Sequence, residues 1–158
     1  MIRRRIRRNR QGRFDVRLDP PERELLRSLA PQMRDVIDDR NSGDPAVARL
    51  FPPAYRDDKD AELESEFRLL AGDELRSSHL AALATLEESA DAERLDEEQI
   101  LAWMRAVNDV RLVLGTRLGV TEEGDERPTD VSDPRAAAFA VYDFLTWLQG
   151  EIIDALSP

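Results

Sequence analysis

Cysteine is absent from this chain, histidine occurs once, as His79, and lysine once, as Lys59. Without thiols there can be no structural disulfide, no thiolate nucleophile and no zinc–thiolate site. A single imidazole supplies neither the paired Glu-x-x-His ligands of a di-iron bundle nor a base-and-nucleophile combination for a hydrolytic triad. No apolar run approaches the roughly 18 to 20 residues of a membrane span, and the basic N-terminus is followed by no apolar stretch of signal-peptide length. These absences lead to the expectation of a cytoplasmic protein that is not an enzyme, carries no metal or organic cofactor and has no membrane partner. Aromatic residues make up 6% of the chain and charged residues 35%, a balance that suits helices with long solvated faces.

What the chain has in excess is arginine, distributed very unevenly. Eight of the first 17 residues are arginine (Arg3, Arg4, Arg5, Arg7, Arg8, Arg10, Arg13 and Arg17) against one acid, Asp15, a formal charge of +7. The net charge of the whole is −10, so the other 141 residues carry −17. A basic arm on an acidic body implies a negatively charged partner for the arm and a basic one for the body.

At 158 residues the chain is expected to form a single domain, residues 1–158, with its own core. Residues 1–18 read as an Arg-rich β-hairpin around Asn9-Arg10-Gln11-Gly12. Phe14, Val16 and Leu18 alternate with Arg13, Asp15 and Arg17, so one face is apolar. Arg3, Arg5, Arg7, Arg13 and Arg17 then share the solvent face and are the candidate partner-binding residues. Residues 19–118 read as a helical body. Asp19 caps a first helix with Pro20 in its first turn and Glu22 three residues after the cap, and Pro31 is expected to kink or split it. Asp44-Pro45 opens a short helical turn, a long helix begins near Asp58 with a bend at Gly72-Asp73, and Asp96 with Gln99 forms a capping box. Leu95 is placed to staple against Ile100, and the helix that follows is apolar on nearly every side to Leu118, as a buried central helix should be. Residues 119–132 form an acidic loop and 133–157 a C-terminal helix. The fold class is mainly α, a helical bundle of four to five helices with an N-terminal β-hairpin.

Few residues invite chemistry. His79 lies between Leu75 and Leu83 on an apolar helical face and reads as a satisfied or partly exposed packing residue rather than a catalytic or ligand group. Asp57, Asp58, Asp60, Glu62, Glu64 and Glu66 loosely mimic a calcium loop, but Leu63 stands where that loop needs glycine and Leu69 where it needs glutamate. They read instead as acids at a helix N-terminus. Asn108 and Arg111 share a face of the most apolar helix, where an unpaired guanidinium would cost several kcal/mol. Glu66 or Asp143 is the expected partner, and Glu66, Asn108, Arg111 and Asp143 together make a candidate buried polar network. Tyr142, Trp147 and Trp103 offer more aromatic surface than one small bundle should bury, which leads to a homodimer as the expected state.

Several stretches carry a family resemblance: Arg49-Leu50-Phe51-Pro52-Pro53-Ala54-Tyr55-Arg56-Asp57-Asp58, Glu66-Phe67-Arg68, Trp103 followed by Asn108-Asp109-Val110-Arg111-Leu112-Val113-Leu114-Gly115-Thr116-Arg117-Leu118-Gly119, and Val141 through Gln149. In this order they resemble an actinobacterial family of unknown function, encoded beside the ClpS adaptor, that includes AosR-like oxidative-stress regulators of transcription. The resemblance implies a regulatory contact with a sigma factor or RNA polymerase. In AosR-like members redox sensing is attributed to a Cys-x-x-x-Cys pair near the N-terminus. Here that region reads Met1 through Asn9 without a cysteine, so a disulfide switch is excluded in this chain. The function expected is therefore transcription regulation through protein–protein contacts, with sequence-tolerant nucleic-acid binding through the hairpin as the alternative. No recognition helix and no aromatic stacking platform accompany the arginines.

Overall fold

The computed structural model describes residues 3–39, 43–51, 61–121 and 123–158; within 61–69 the side chain of Glu66 alone is described. The hairpin forms as its alternation requires. β1 (Ile6–Arg8) and β2 (Phe14–Val16) pair antiparallel, with Ile6 opposite Val16 and Arg8 opposite Phe14. Asn9 holds the turn: its side-chain oxygen accepts from the amides of Gln11 (2.9 Å) and Arg13 (3.1 Å). Gly12 then takes a φ of +79°, which only glycine adopts without strain.

The hairpin is not alone. A third strand, β3 (Arg94–Leu95), pairs antiparallel with β2 and places Leu95 opposite Phe14 and Arg94 opposite Asp15. Ile6, Phe14, Val16, Leu18 and Leu95 are all buried on the inner face. An isolated two-stranded hairpin is marginal, and β3 widens the apolar face that the helices cover. Leu95 and Ile100 are both fully buried.

Helix α1 (Pro20–Asp38) starts at Asp19, whose amide donates to Glu22 (2.7 Å). It runs through Pro31 as one helix, so the sequence-based alternative of two separate helices is corrected. Pro31 is exposed, which leaves the carbonyl it frees one turn earlier open to water, while Ala30 and Met33 anchor the chain on either side. The guanidinium of Arg23 fastens this helix to the sheet. It donates to four backbone carbonyls, those of Leu18 (3.1 Å), Val16 (3.0 Å), Ala90 (2.9 Å) and Ala92 (2.8 Å).

The short α2 (Pro45–Ala48) is capped by Asp44, which accepts from the Ala46 amide. Helix α3 (Ala61–Ser89) continues through Gly72-Asp73; its expected start near Asp58 lies outside the described residues. Helix α4 (Glu97–Leu118) begins at the Asp96–Gln99 capping box and ends on Gly119 at a φ of +73°. Helix α5 (Pro134–Leu156) begins at Asp133, which accepts from the Arg135 amide (2.9 Å). Five helices and a three-stranded sheet are thus present among the described residues, a mainly α fold.

Helix α4 occupies the centre, between α3 and α5; α1 lies against α3, and β1 against α5. Trp103, Ile100, Val107, Leu83, Leu86, Leu145, Leu148 and Ile152 are completely buried or nearly so. Each large side chain removed from water in this way contributes roughly 1.5 to 3 kcal/mol before conformational entropy is subtracted. Trp103 also satisfies its indole N–H on the Ser89 hydroxyl (2.7 Å). Among the described residues no helix is long and apolar enough to cross a membrane.

Candidate interaction surface

The pleat that buries Ile6, Phe14 and Val16 turns the intervening residues outward. Arg7 therefore lies in register with Asp15, and Asp15 with Arg94, across the outer face of the sheet. Asp15 is already occupied: it accepts from the Asn9 amide group (3.1 Å) and lies 3.4 Å from Arg94 Nε. Arg3, Arg7, Arg13 and Arg17 are exposed and form no ion pair among the described residues. The sheet thus carries several free guanidinium groups beside one neutralised acid. Arg94 was not among the sequence candidates, because a two-residue strand leaves no alternation to read.

Arg10, in the turn, is exposed as well, whereas Arg4, Arg5 and Arg8 turn back on the protein. Arg4 pairs with Asp154 of α5 (2.6 Å), and this hydrogen-bonded partner raises its pKa from the ordinary arginine value. Arg8 lies over the Phe14 ring, 5.2 Å from its centroid. Arg5, expected among the free partner-binding residues, is instead engaged. Its Nε donates to the Arg17 carbonyl (2.5 Å), its Nη2 meets Glu22 (2.5 Å), and the group lies over the Trp147 ring at 5.6 Å. The cause is position: residue 5 precedes the edge strand beside both α5 and the start of α1, where an acid and an indole are within reach.

Arg3, Arg5, Glu22, Asp143, Phe144, Trp147 and Glu151 line a groove of about 540 Å³ where the sheet meets α5. Trp147 is 37% exposed and packs against Phe144, with ring centroids 5.8 Å apart. The acids of the groove are held from within. Glu22 is bonded to Arg5, Glu151 Oε2 accepts from the amides of Arg5 (3.1 Å) and Ile6 (3.4 Å), and Asp143 is clasped in a fork by Arg127 (2.5 and 2.8 Å). That fork holds the Asp143 carboxyl below the usual carboxylate range.

The four residues expected to form one buried network are not joined. Glu66 is exposed. Asp143 is bound by Arg127 from the loop before α5. Arg111 is only partly buried and has no carboxylate partner among the described residues; it donates to the hydroxyls of Thr146 (2.8 Å) and Tyr142 (3.3 Å) and lies over the Tyr142 ring at 5.2 Å. Asn108 accepts from Gln149 (3.1 Å). The seam between α4 and α5 is shallow enough for water to reach the guanidinium, so neutral hydroxyls and a ring face suffice. Tyr142 approaches so closely that a Cβ on Gly115 would lie 3.1 Å from its ring. Trp103 is buried and Tyr142 is packed on Gly115, so of the three aromatics behind the homodimer expectation Trp147 is the one that is exposed.

The buried ionisable pair lies elsewhere. His79 of α3 and Asp109 of α4 are 5% and 4% exposed, and His79 Nδ1 is 2.5 Å from an Asp109 oxygen. The other ring nitrogen is 3.0 Å from the carbonyl of Leu50, and Phe51 meets the ring edge-on at 5.5 Å. The ring thus has a polar partner at each nitrogen, a carboxylate at one and a carbonyl at the other. With both nitrogens taken and the ring sealed from solvent, this pair has no site left to take a proton from a substrate. It ties three segments together. His79 is thus a satisfied core residue, as the sequence reading holds, but with a carboxylate thirty positions away that spacing alone could not supply. Among the described residues no three His, Asp or Glu side chains converge as metal ligands. Asp57, Asp58 and Asp60, and the side chains of Glu62 and Glu64 in the first turns of α3, lie outside what is described.

Residues from some of the stretches that carry the resemblance meet at these two seams: Asn108, Arg111 and Gly115 face α5 at Gln149, Thr146 and Tyr142, while Asp109 and Leu50 face His79. The family defined as a domain of unknown function, DUF2017, matches residues 3–156. The chain belongs to the DUF2017 family. It is similar to the oxidative stress regulator AosR of Mycobacterium tuberculosis, 34% identical over 89% of this chain and 81% of that protein. The AosR of Mycobacterium bovis is similar to the same degree. The putative oxidative stress regulator AosR of Mycobacterium leprae is 31% identical over 91% of this chain and 82% of its own length. No solved structure matches the chain. These DUF2017 relatives are named as regulators, which supports a regulatory role here.

Proposed function

We propose that this chain is a non-enzymatic, cytoplasmic regulator that acts in transcription through protein–protein contacts, with a sigma factor or RNA polymerase as its partner. The observation that carries the reading is the contrast within the arm. Arg4, Arg5 and Arg8 fold onto the protein, whereas Arg3, Arg7, Arg13 and Arg17 remain exposed and unpaired among the described residues. Four like charges held close together in and beside one small sheet create a positive field that draws a negatively charged partner. The relatives' names supply the regulatory context. The chain has no cysteine, so whatever signal it answers, it does not do so by forming a disulfide of its own. The one buried acid–imidazole pair is closed on both sides, which supports a structural role for it over a catalytic one.

The test is retention of purified RNA polymerase core and individual sigma factors of the host on the immobilised protein, at low and at moderate salt. Retention of one of these subunits, weakened by salt as charge pairing requires, is the expected result. Failure to retain any of them under conditions that preserve weak complexes overturns the reading.

A further inference from the structure

We propose that the outer face of the sheet and the Trp147 groove are one docking surface, and that its occupant is an acidic protein segment which places an apolar side chain against Trp147 and Phe144. The inference rests on the protein-contact reading above and adds the surface and the chemistry of the partner.

Arg5 makes the two parts continuous. Its backbone carbonyl accepts from the Arg17 amide (2.8 Å) in the sheet, and its guanidinium lies over the Trp147 ring in the groove. A ligand lying along the sheet therefore passes directly onto the indole. The positive charge of this surface lies on the outer face of the sheet, where Arg7, Arg13, Arg17 and Arg94 surround Asp15 alone, while in the groove Arg3 and Arg5 stand against Glu22, Asp143 and Glu151. Glu22, Asp143 and Glu151 each take hydrogen bonds from within the protein, and Asp15 is taken by Asn9 and Arg94. The groups left unsatisfied are guanidinium groups, so the complementary partner is acidic. Trp and Arg are the residue types that most often dominate a protein interface, and a half-exposed indole beside free arginines is such an arrangement. A single long-range field would attract any polyanion; an aromatic groove rewards only one that also carries an apolar side chain.

Nucleic acid fits the surface less well. The aromatic residue of the sheet, Phe14, is completely buried, so the arginine face has no platform on which bases could stack. The remainder of the chain carries a formal −17 and repels a long phosphate backbone extending past the sheet. A second copy of this chain would bring an acidic body to the arginines, and is an outcome that the test must separate.

The probes are three labelled synthetic peptides of equal length and a short DNA duplex. One peptide alternates glutamate with leucine and phenylalanine, the second has lysine for every glutamate, and the third is glutamate throughout. Binding is followed by anisotropy and by Trp147 emission. Trp103 is fully buried and bonded to Ser89, so a change in emission on binding reports the groove. The alternating acidic peptide should bind most tightly, the lysine peptide not at all, and the all-glutamate peptide about tenfold more weakly than the first. Trp147→Ala and the pair Arg7→Glu with Arg17→Glu should each weaken the first peptide about tenfold or more. The arginine pair touches no packing, so it keeps the test valid if Trp147→Ala perturbs the fold. Unchanged affinity in the Arg7→Glu, Arg17→Glu protein overturns the proposal, as does a duplex that binds as tightly as the acidic peptide with no dependence on Trp147. Self-association seen by light scattering and abolished by the same arginine pair would assign the surface to a second copy instead, and also overturns it. If a sigma factor or polymerase is retained equally by all variants, the surface assignment fails while the regulatory reading stands. If the peptides behave as expected but no transcription subunit is retained, the reverse holds.

Discussion

The junction at His79 and the outer face of the sheet both concentrate charge, and they do so in opposite ways. At the junction both ring nitrogens are engaged: imidazole, carboxylate and carbonyl meet within 3.0 Å and almost no solvent reaches them. On the sheet the guanidinium groups of Arg7, Arg13 and Arg17 point outward and the acid in their midst is used up. Burying charge is tolerable only when it is completely paired, whereas leaving it exposed and unpaired costs the fold little. The first region therefore bears on whether the chain folds, and the second on what the folded chain meets. Mutations should separate the two.

The largest effect is expected at the junction. Asp109→Ala breaks the buried pair and leaves a ring nitrogen of His79 without its partner in a sealed site, and should destabilise the protein by roughly 3 to 5 kcal/mol. Urea unfolding followed by circular dichroism measures this, and a loss below 1 kcal/mol would show that the pair is dispensable. Arg23→Met comes next. It removes the donors to four carbonyls but retains the apolar stem, for an expected loss of about 2 to 3 kcal/mol. A melting temperature equal to the parent's would mean that water replaces the guanidinium without cost.

Gly115→Ala is smaller, at about 1 kcal/mol. The added methyl meets the Tyr142 ring at 3.1 Å, and the ring must shift, taking the Arg111 contact with it. Near-ultraviolet circular dichroism would show the altered tyrosine environment, and an unchanged spectrum would place the ring's freedom above what the packing implies. Replacing Arg7, Arg13 and Arg17 together by alanine should have the least effect on folding, leaving the unfolding midpoint within experimental scatter. The same variant should lose retention of a transcription partner. A clear fall in stability would mean that these arginines serve the fold after all, and the contrast between the two regions would collapse.

Much of the architecture was legible because it rests on local signals. Asp96 with Gln99 and Asp19 with Pro20 mark helix starts by chemistry confined to four residues, and Phe14, Val16 and Leu18 declare a buried face by alternation. The third strand was not legible, since Arg94 and Leu95 form a strand only because Phe14 and Asp15 lie beside them. The junction was hidden for the same reason at longer range: His79 and Asp109 sit on different helices, and no periodicity within either indicates the other. Arg111 shows the converse error. An apolar helix suggested a deep guanidinium needing a carboxylate, but helical spacing does not reveal how shallow a seam is. For the candidate surface, the charge of the arm was visible in the sequence. Which arginines would be consumed internally was not, because Glu22, Asp154 and Trp147 reach them only through the tertiary fold.

The clasp made by Arg23 also bears on how the chain can change over time. Its four acceptors are main-chain carbonyls, and carbonyls are not encoded by any particular codon. A salt bridge can be inverted by swapping both partners, so a lesion in one half can be repaired in the other. Here only one half is mutable. No second-site charge exchange can restore what a substitution at Arg23 removes, and lysine, with a single ammonium in place of a planar fork, cannot span four oxygens. In a saturation screen the position should tolerate almost nothing and yield no compensating suppressors among its acceptors, a one-sided dependence that pairwise covariation would never register.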